Sequence, residues 1–383
     1  MGPHEELIDE ARAATGLDDF GDASFQEGLE VLVRALRAEA RLTARGDAAL
    51  HALLVGKLSQ RLQVEDWYAR HPEIGAEVIS RPLFGIGLPR TGSTALSVLL
   101  ALDPGVRYLA AWQADRPCPP PSTVTGHDPR LGLAQAEQEQ RLAHSPRHAR
   151  LVPGSPAGPM ECLPLLAMDF KSALFNGLAR VPSYTGWLLH EADHTSAFAY
   201  EERVLKLLQW GYPARPWRLK SPSHVLHLDV ISAVFPEARF VMTHRDPADV
   251  ITSVCDLFAD VYSRFSDDID RGWIGAANVA EWTTGMRRVL EFRDGGHDRR
   301  FFDIDFRAMH ADPIGEVHRL YQWLGEPVSP QFEAAMRAWW QDSGEKEPNA
   351  HPAPVTFGLT VDDIRPLFAG YSARAAGWTG NRT

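Results

Sequence analysis

The chain has 383 residues, 44% hydrophobic and 23% charged, with a formal net charge of −11. This is ordinary globular composition, long enough for one large α/β domain with insertions or for two domains, and no stretch reaches the apolar length of a membrane span. The acidic balance excludes a general nucleic-acid binder and disfavours a large polyanionic substrate, while leaving room for a local basic pocket.

The first ten residues are acidic and lack a signal layout, and Cys118, Cys162 and Cys255 form neither a paired framework nor metal-type spacing. Both features point to a reducing, cytoplasmic setting with buried thiols. Residues 1–80 read as a helical extension. Phe25, Leu29, Leu32, Val33 and Leu36 recur at helical spacing behind start signals at 22–24, and a second helical stretch covers 47–64. Nothing there has catalytic spacing, so it is expected to be scaffold.

Residues 82–110 carry the first site unit. An apolar run over 83–88 predicts a strand, the following loop holds two glycines, two hydroxyl residues and Arg90, and 95–102 predicts an apolar helix. Strand, loop and helix in this order make an anion site: glycines admit the backbone to the ligand, and the new helix aims unpaired N–H groups and its positive end at it. Gly87-x-x-x-x-Gly92-Ser93-Thr94 nearly spells the nucleotide triphosphate loop, but Ser93 stands where that loop has lysine. Residues 106–110 predict a short second strand.

Residues 111–212 read as an insertion and a helical substrate wall. The stretch from Arg116 to Pro159 is rich in Pro, Gly, His and Arg, with a helical piece at 131–142, and is expected to stand over a binding site. Aromatics crowd the part after 160: Phe170, Phe175, Tyr184, Trp187, Phe198, Tyr200, Trp210 and Tyr212. Most are expected in the core, with a few left to line an apolar acceptor pocket.

Residues 213–258 bring the second site unit. Trp217 to Lys220 predicts a buried strand, Ser221 and Ser223 are helix-start residues, and a helix is expected over 225–235 until Pro236 stops it. The strand predicted over 238–244 runs into Arg245-Asp-Pro-Ala-Asp-Val250, with Asp246 as cap and Pro247 at the first helical position. Short connections of this kind imply parallel strands, whose ligands collect at the carboxyl ends. Residues 259–383 add helices at 282–292, 313–324 and 330–340, a strand at 300–306, and a last helix capped by Thr360. The whole is expected to be one α/β domain, a P-loop-like central parallel sheet flanked by helices with a helical N-terminal extension and helical insertions.

Arg90 and Arg245, far apart in sequence and each beside hydroxyls and a helix start, suit a ligand with two separate phosphates. A triphosphate would need the loop lysine and a magnesium carboxylate, for which Asp303 and Asp305 are unanchored candidates. The pattern therefore predicts a metal-free, bis-anionic nucleotide. It resembles the sulfotransferase family that uses 3′-phosphoadenosine 5′-phosphosulfate (PAPS), whose phosphosulfate loop reads P-[KR]-[ST]-G-[ST]-[ST] and whose 3′-phosphate segment reads R-[DN]-P-x-D-x-x-x-S. Here these are Pro89-Arg-Thr-Gly-Ser-Thr94 and Arg245-Asp-Pro-Ala-Asp-Val-Ile-Thr-Ser253. Leu219-Lys-Ser-Pro-Ser-His224 is similar to a segment of bacterial and protein-tyrosine members, and Leu17-Asp-Asp-Phe-Gly-Asp22 to bacterial ones. The glycine-rich C-terminal motif of the cytosolic branch, R-K-G-x-x-G, is absent.

The resemblance implies that Thr91, Gly92, Ser93 and Thr94 with the loop amides hold the 5′-phosphate, and that Arg245 and Ser253 hold the 3′-phosphate. Arg90, at a position often occupied by lysine, becomes an electrostatic clamp, because arginine stabilises charge on the leaving phosphate but is a poor proton donor. Lys220 would complement it at the sulfuryl group. In-line transfer to a hydroxyl needs a base within reach of the acceptor: His224 is the first candidate, Glu161 the second, and His127 and His144 weaker ones. The expected acceptor is a small or lipid-like alcohol or phenol, with adenosine 3′,5′-bisphosphate as coproduct and no nucleic-acid partner or integral membrane segment. A P-loop kinase-like phosphotransferase and a non-catalytic nucleotide-binding protein on the same fold are the alternatives.

Overall fold

Five short parallel strands organise the computed structural model, which describes residues 3–144, 147, 151, 154–343 and 352–380. They are β1 (Leu83–Gly87), β2 (Arg107–Tyr108), β3 (Trp217–Lys220), β4 (Arg239–His244) and β5 (Phe301–Asp305), in the order β2-β3-β1-β4-β5. Every residue of β1 and β3 is buried, the pattern of parallel strands covered on both faces. Alternation divides the cover. Phe84, Ile86, Phe240 and Met242 pack on the side of helices Thr195–Gln209, Pro247–Tyr262 and Arg271–Phe292, whereas Leu83, Val241 and Ile304 face α4 (Ser93–Ala101) and helix Pro313–Leu324.

The N-terminal extension forms α1 (His4–Thr15), α2 (Phe25–Glu39) and α3 (Ala44–Arg70). The predicted apolar stripe of α2 is buried, and α3 is longer than its periodicity suggested, because Thr43 caps it by accepting from the Gly46 N–H at 3.0 Å. These helices share a second core with Phe170, Phe175, Tyr184 and Trp187. Arg61, 1% exposed, fastens the two parts: it donates to the carbonyls of Phe20 and Asp22, both at 2.8 Å, and pairs with Asp169 at 3.1 Å. Phe198 and Tyr200 are also buried. The aromatic run after 160 is thus largely core, leaving Trp210 half-buried and Tyr212 exposed.

The strand expected over 106–110 is only Arg107–Tyr108, the helix expected over 282–292 runs from Arg271 to Phe292, and the segment after β3 differs in kind. The helix expected over 225–235 is a 3-10 turn, Pro222–Leu226, followed by a helix at Leu228–Val234. Ser221 and Ser223 do not cap it; their hydroxyls bond each other at 2.9 Å. Thr360 does close a capping box with Asp363 at the start of helix Val361–Leu367. Among the described residues no helix is long and apolar enough to cross a membrane.

Candidate active site

The register of the sheet aligns Gly85 with Lys220 on one side and with Val241 on the other, so the loops after β1, β3 and β4 leave the same edge. Gly87 opens the first loop at φ 126°, where a Cβ would lie 2.6 Å from the Thr243 carbonyl oxygen. Only glycine lets β1 and β4 approach this closely while the chain turns. Arg90 adopts φ 64° and Gly92 φ 87°, and Gly92 then leads into α4. The Thr91 hydroxyl donates to the Leu88 carbonyl at 2.7 Å and accepts from the Thr243 hydroxyl at 2.6 Å, fully buried. Thr91 therefore braces the loop from below. Ser93 and the exposed Thr94 stand at the helix N-terminus itself.

The arginines of the two motifs meet. Arg90 Nε donates to Ser253 Oγ at 3.1 Å, and Arg245 Nη1 donates to the Arg90 carbonyl at 3.2 Å. Arg90 also donates to the Leu151 carbonyl at 2.8 Å, so the insertion reaches over the loop. Burial first, and the neighbouring Arg245 second, push the Arg90 guanidinium below its ordinary value, while Asp256 acts in the opposite sense. Two half-buried guanidiniums that oppose each other, beside a helix N-terminus, are an arrangement an anion stabilises. Phe306, just after β5, lies under Arg245 at 4.5 Å and within 3.5 Å of where a Gly92 Cβ would be. No sequence signal marked it.

At the end of β3, Lys220 Nζ donates to Glu161 Oε1 at 2.8 Å. The Cys162 N–H bonds the Lys220 carbonyl at 3.1 Å, which ties the strand end to the insertion. The Glu161 side chain is 30% exposed. His224, by contrast, does not open to the crevice. Its ring is fully buried between Phe84 and Phe198, at 5.4 and 5.5 Å, and burial pushes it down to about 3. It faces Cys162 and Glu201 in the interior. His127 is exposed on the insertion, and the His144 side chain lies outside the described residues.

The candidate magnesium carboxylates are committed elsewhere. Asp303 holds Arg293 through two bonds, at 2.8 and 3.0 Å, and His244 at 2.8 Å, and His244 in turn meets the Tyr371 hydroxyl at 2.9 Å. Asp305 caps helix Phe306–Ala311, accepting from the Arg307 and Ala308 N–H groups.

A model described as the sulfotransferase family matches residues 82–330, a span that contains the segments at 89–94, 219–224 and 245–253. The chain belongs to the sulfotransferase family. Two solved structures share its fold over nearly the whole length. Sulfotransferase STF1 from Mycobacterium tuberculosis has a TM-score of 0.85 and 32% identity, covering 96% of this chain and 98% of that one. Sulfotransferase STF9 from Mycobacterium avium has a TM-score of 0.89 and 32% identity, covering 97% and 96%. A curated relative, the omega-hydroxy-beta-dihydromenaquinone-9 sulfotransferase Stf3 of Mycobacterium bovis, is 25% identical over 189 residues. That match covers 48% of each chain, so this sulfotransferase spans about half the length of the curated relative.

Proposed function

We propose that this sulfotransferase moves a sulfuryl group from PAPS to a hydroxyl of a small or lipid-like acceptor. The observation that carries the reading is the cluster of Arg90, Arg245 and Ser253, drawn from two loops to one strand edge beside the start of α4. A nucleotide with a 3′-phosphate and a 5′-phosphosulfate presents anionic groups at two places, which fits two arginines better than one lysine-bearing triphosphate loop. Bound PAPS supplies the activated sulfuryl group. Ser93, Thr94 and the loop amides hold the 5′ side, Arg245 and Ser253 the 3′-phosphate, and Arg90 stabilises charge on the departing phosphate. Thr91 serves the loop's shape.

For the base we favour Glu161 over His224. A general base must reach the acceptor hydroxyl, and Glu161 is partly exposed beside Lys220 whereas the His224 ring has no exposed surface. Lys220 holds the carboxylate in place and supplies positive charge near the sulfuryl group. A lipid-like acceptor is supported by the name of the curated relative, a hydroxylated menaquinone sulfotransferase. The kinase alternative is disfavoured by Ser93 at the lysine position and by the engagement of Asp303 and Asp305. The test is a mass-shift screen of alcohols and phenols with PAPS. A sulfated product is expected, and Glu161→Gln should lower kcat by roughly 10²–10⁴-fold with unchanged donor affinity; unaltered turnover would reject Glu161 as base.

A further inference from the structure

Behind the active-site edge, three buried side chains of metal-ligand type meet. Cys162 precedes helix Leu163–Leu166, Glu201 lies in helix Thr195–Gln209, and His224 in the turn Pro222–Leu226. All three are 0% exposed, and their ligand atoms lie within 4.8 Å of one another. Both ring nitrogens of His224 have no hydrogen-bond partner among the described residues, and the Glu201 carboxylate has none but the Cys162 thiol. The weakly donating thiol of Cys162 faces Glu201. Buried imidazole and carboxyl groups are otherwise paired, and leaving one unmatched costs about 1–3 kcal/mol per group.

We infer that Cys162, Glu201 and His224 form a buried zinc site. A thiolate, an imidazole and a carboxylate are the donor types that zinc takes, and three protein ligands leave a fourth tetrahedral position for water. The charge balances: thiolate and carboxylate each contribute one negative charge, the imidazole none, so a dication is buried with no net charge. Phe84 and Phe198 flank the His224 ring and keep it turned toward the other two ligands. The ion also has a mechanical consequence. Cys162 directly follows Glu161 and bonds the Lys220 carbonyl, so anchoring its sulfur fixes the segment that presents the Glu161–Lys220 pair. The site is separate from the donor cluster and stands independently of the donor's identity. Sequence spacing hid it, because each ligand comes from a different segment.

The test is the zinc content of tag-free protein from zinc-supplemented culture, measured by plasma mass spectrometry after dialysis against metal-free buffer. About one zinc per chain is expected, falling at least roughly tenfold in Cys162→Ser and His224→Ala whose folding is checked by circular dichroism. Cobalt substitution of the unmodified chain supplies a second readout that needs no variant: a thiolate-to-cobalt charge-transfer band is expected. Less than roughly a tenth of an equivalent of zinc after reconstitution, or a cobalt spectrum without the thiolate band, overturns the proposal. So does zinc content unchanged in both variants, which would assign the metal to surface histidines.

Discussion

Replacing Arg245 with alanine removes one of the two side chains that join the motif segments, the other being Arg90. In the structure its guanidinium spends one donor on the Arg90 carbonyl, sits over Phe306 and approaches Asp249 at 3.7 Å, and the proposed 3′-phosphate would take two of its other donors. Charge-assisted hydrogen bonds contribute about 1.5–3 kcal/mol each, so losing two costs about 3–6 kcal/mol of binding, a factor of roughly 10²–10⁴ in Kd for adenosine 3′,5′-bisphosphate. The structural loss is smaller. One carbonyl bond and one cation–π contact together amount to about 1–2 kcal/mol, or a few degrees in Tm. Calorimetric titration beside a thermal melt separates the two effects. Arg245→Lys keeps the charge but not the planar fork, and should recover about tenfold of the lost affinity. An Arg245→Ala protein that binds the bisphosphate within threefold of the unmodified chain would refute the assignment.

Two further outcomes follow from the same geometry. Thr91→Val strands the Leu88 carbonyl and the Thr243 hydroxyl in a buried place, and should cost about 2–3 kcal/mol in chemical denaturation, with Thr91→Ser restoring much of it; an unchanged midpoint would contradict the bracing role. Burial raises the Glu281 carboxyl from 4.5 to about 7, with the Asn176 amide donating to it at 3.3 Å. The folded chain therefore holds this proton to higher pH than the unfolded one, and stability falls as pH rises from about 4.5 to 7. Glu281→Gln keeps an acceptor for Asn176 and should reduce that slope, gaining about 3 kcal/mol at pH 8; a slope unchanged from the unmodified chain assigns it to other groups.

The sheet was legible because buried parallel strands are short apolar runs that end at glycine, proline or charge. The strands after residues 82, 216, 238 and 300 were each located to within a residue or so. The meeting of Arg90 with Arg245 followed from the same logic, since parallel strands with short connections deliver their carboxyl ends to one edge. What lay beyond reach depended on how the insertion folds back. Nothing local to Glu161 says that it meets Lys220, and nothing near Phe306 says that it lies under Arg245. His224 was misread for a specific reason. Its position at the carboxyl end of a strand, where ligands collect, pointed to the crevice, but the 3-10 turn Pro222–Leu226 that follows β3 carries its ring away from that edge. The ring lies in the interior, where it joins Cys162 and Glu201.

The edge carrying Arg90, Arg245 and Ser253 is proposed to bind a nucleotide bearing phosphates at its 3′ and 5′ positions. The most direct measurement is a calorimetric titration of the unmodified protein with adenosine 3′,5′-bisphosphate in the absence of magnesium, repeated with magnesium and ATP. Micromolar or tighter binding of the bisphosphate at one site per chain, unchanged by magnesium and far stronger than ATP binding, is predicted. Magnesium-dependent ATP binding with no heat from the bisphosphate would contradict the account.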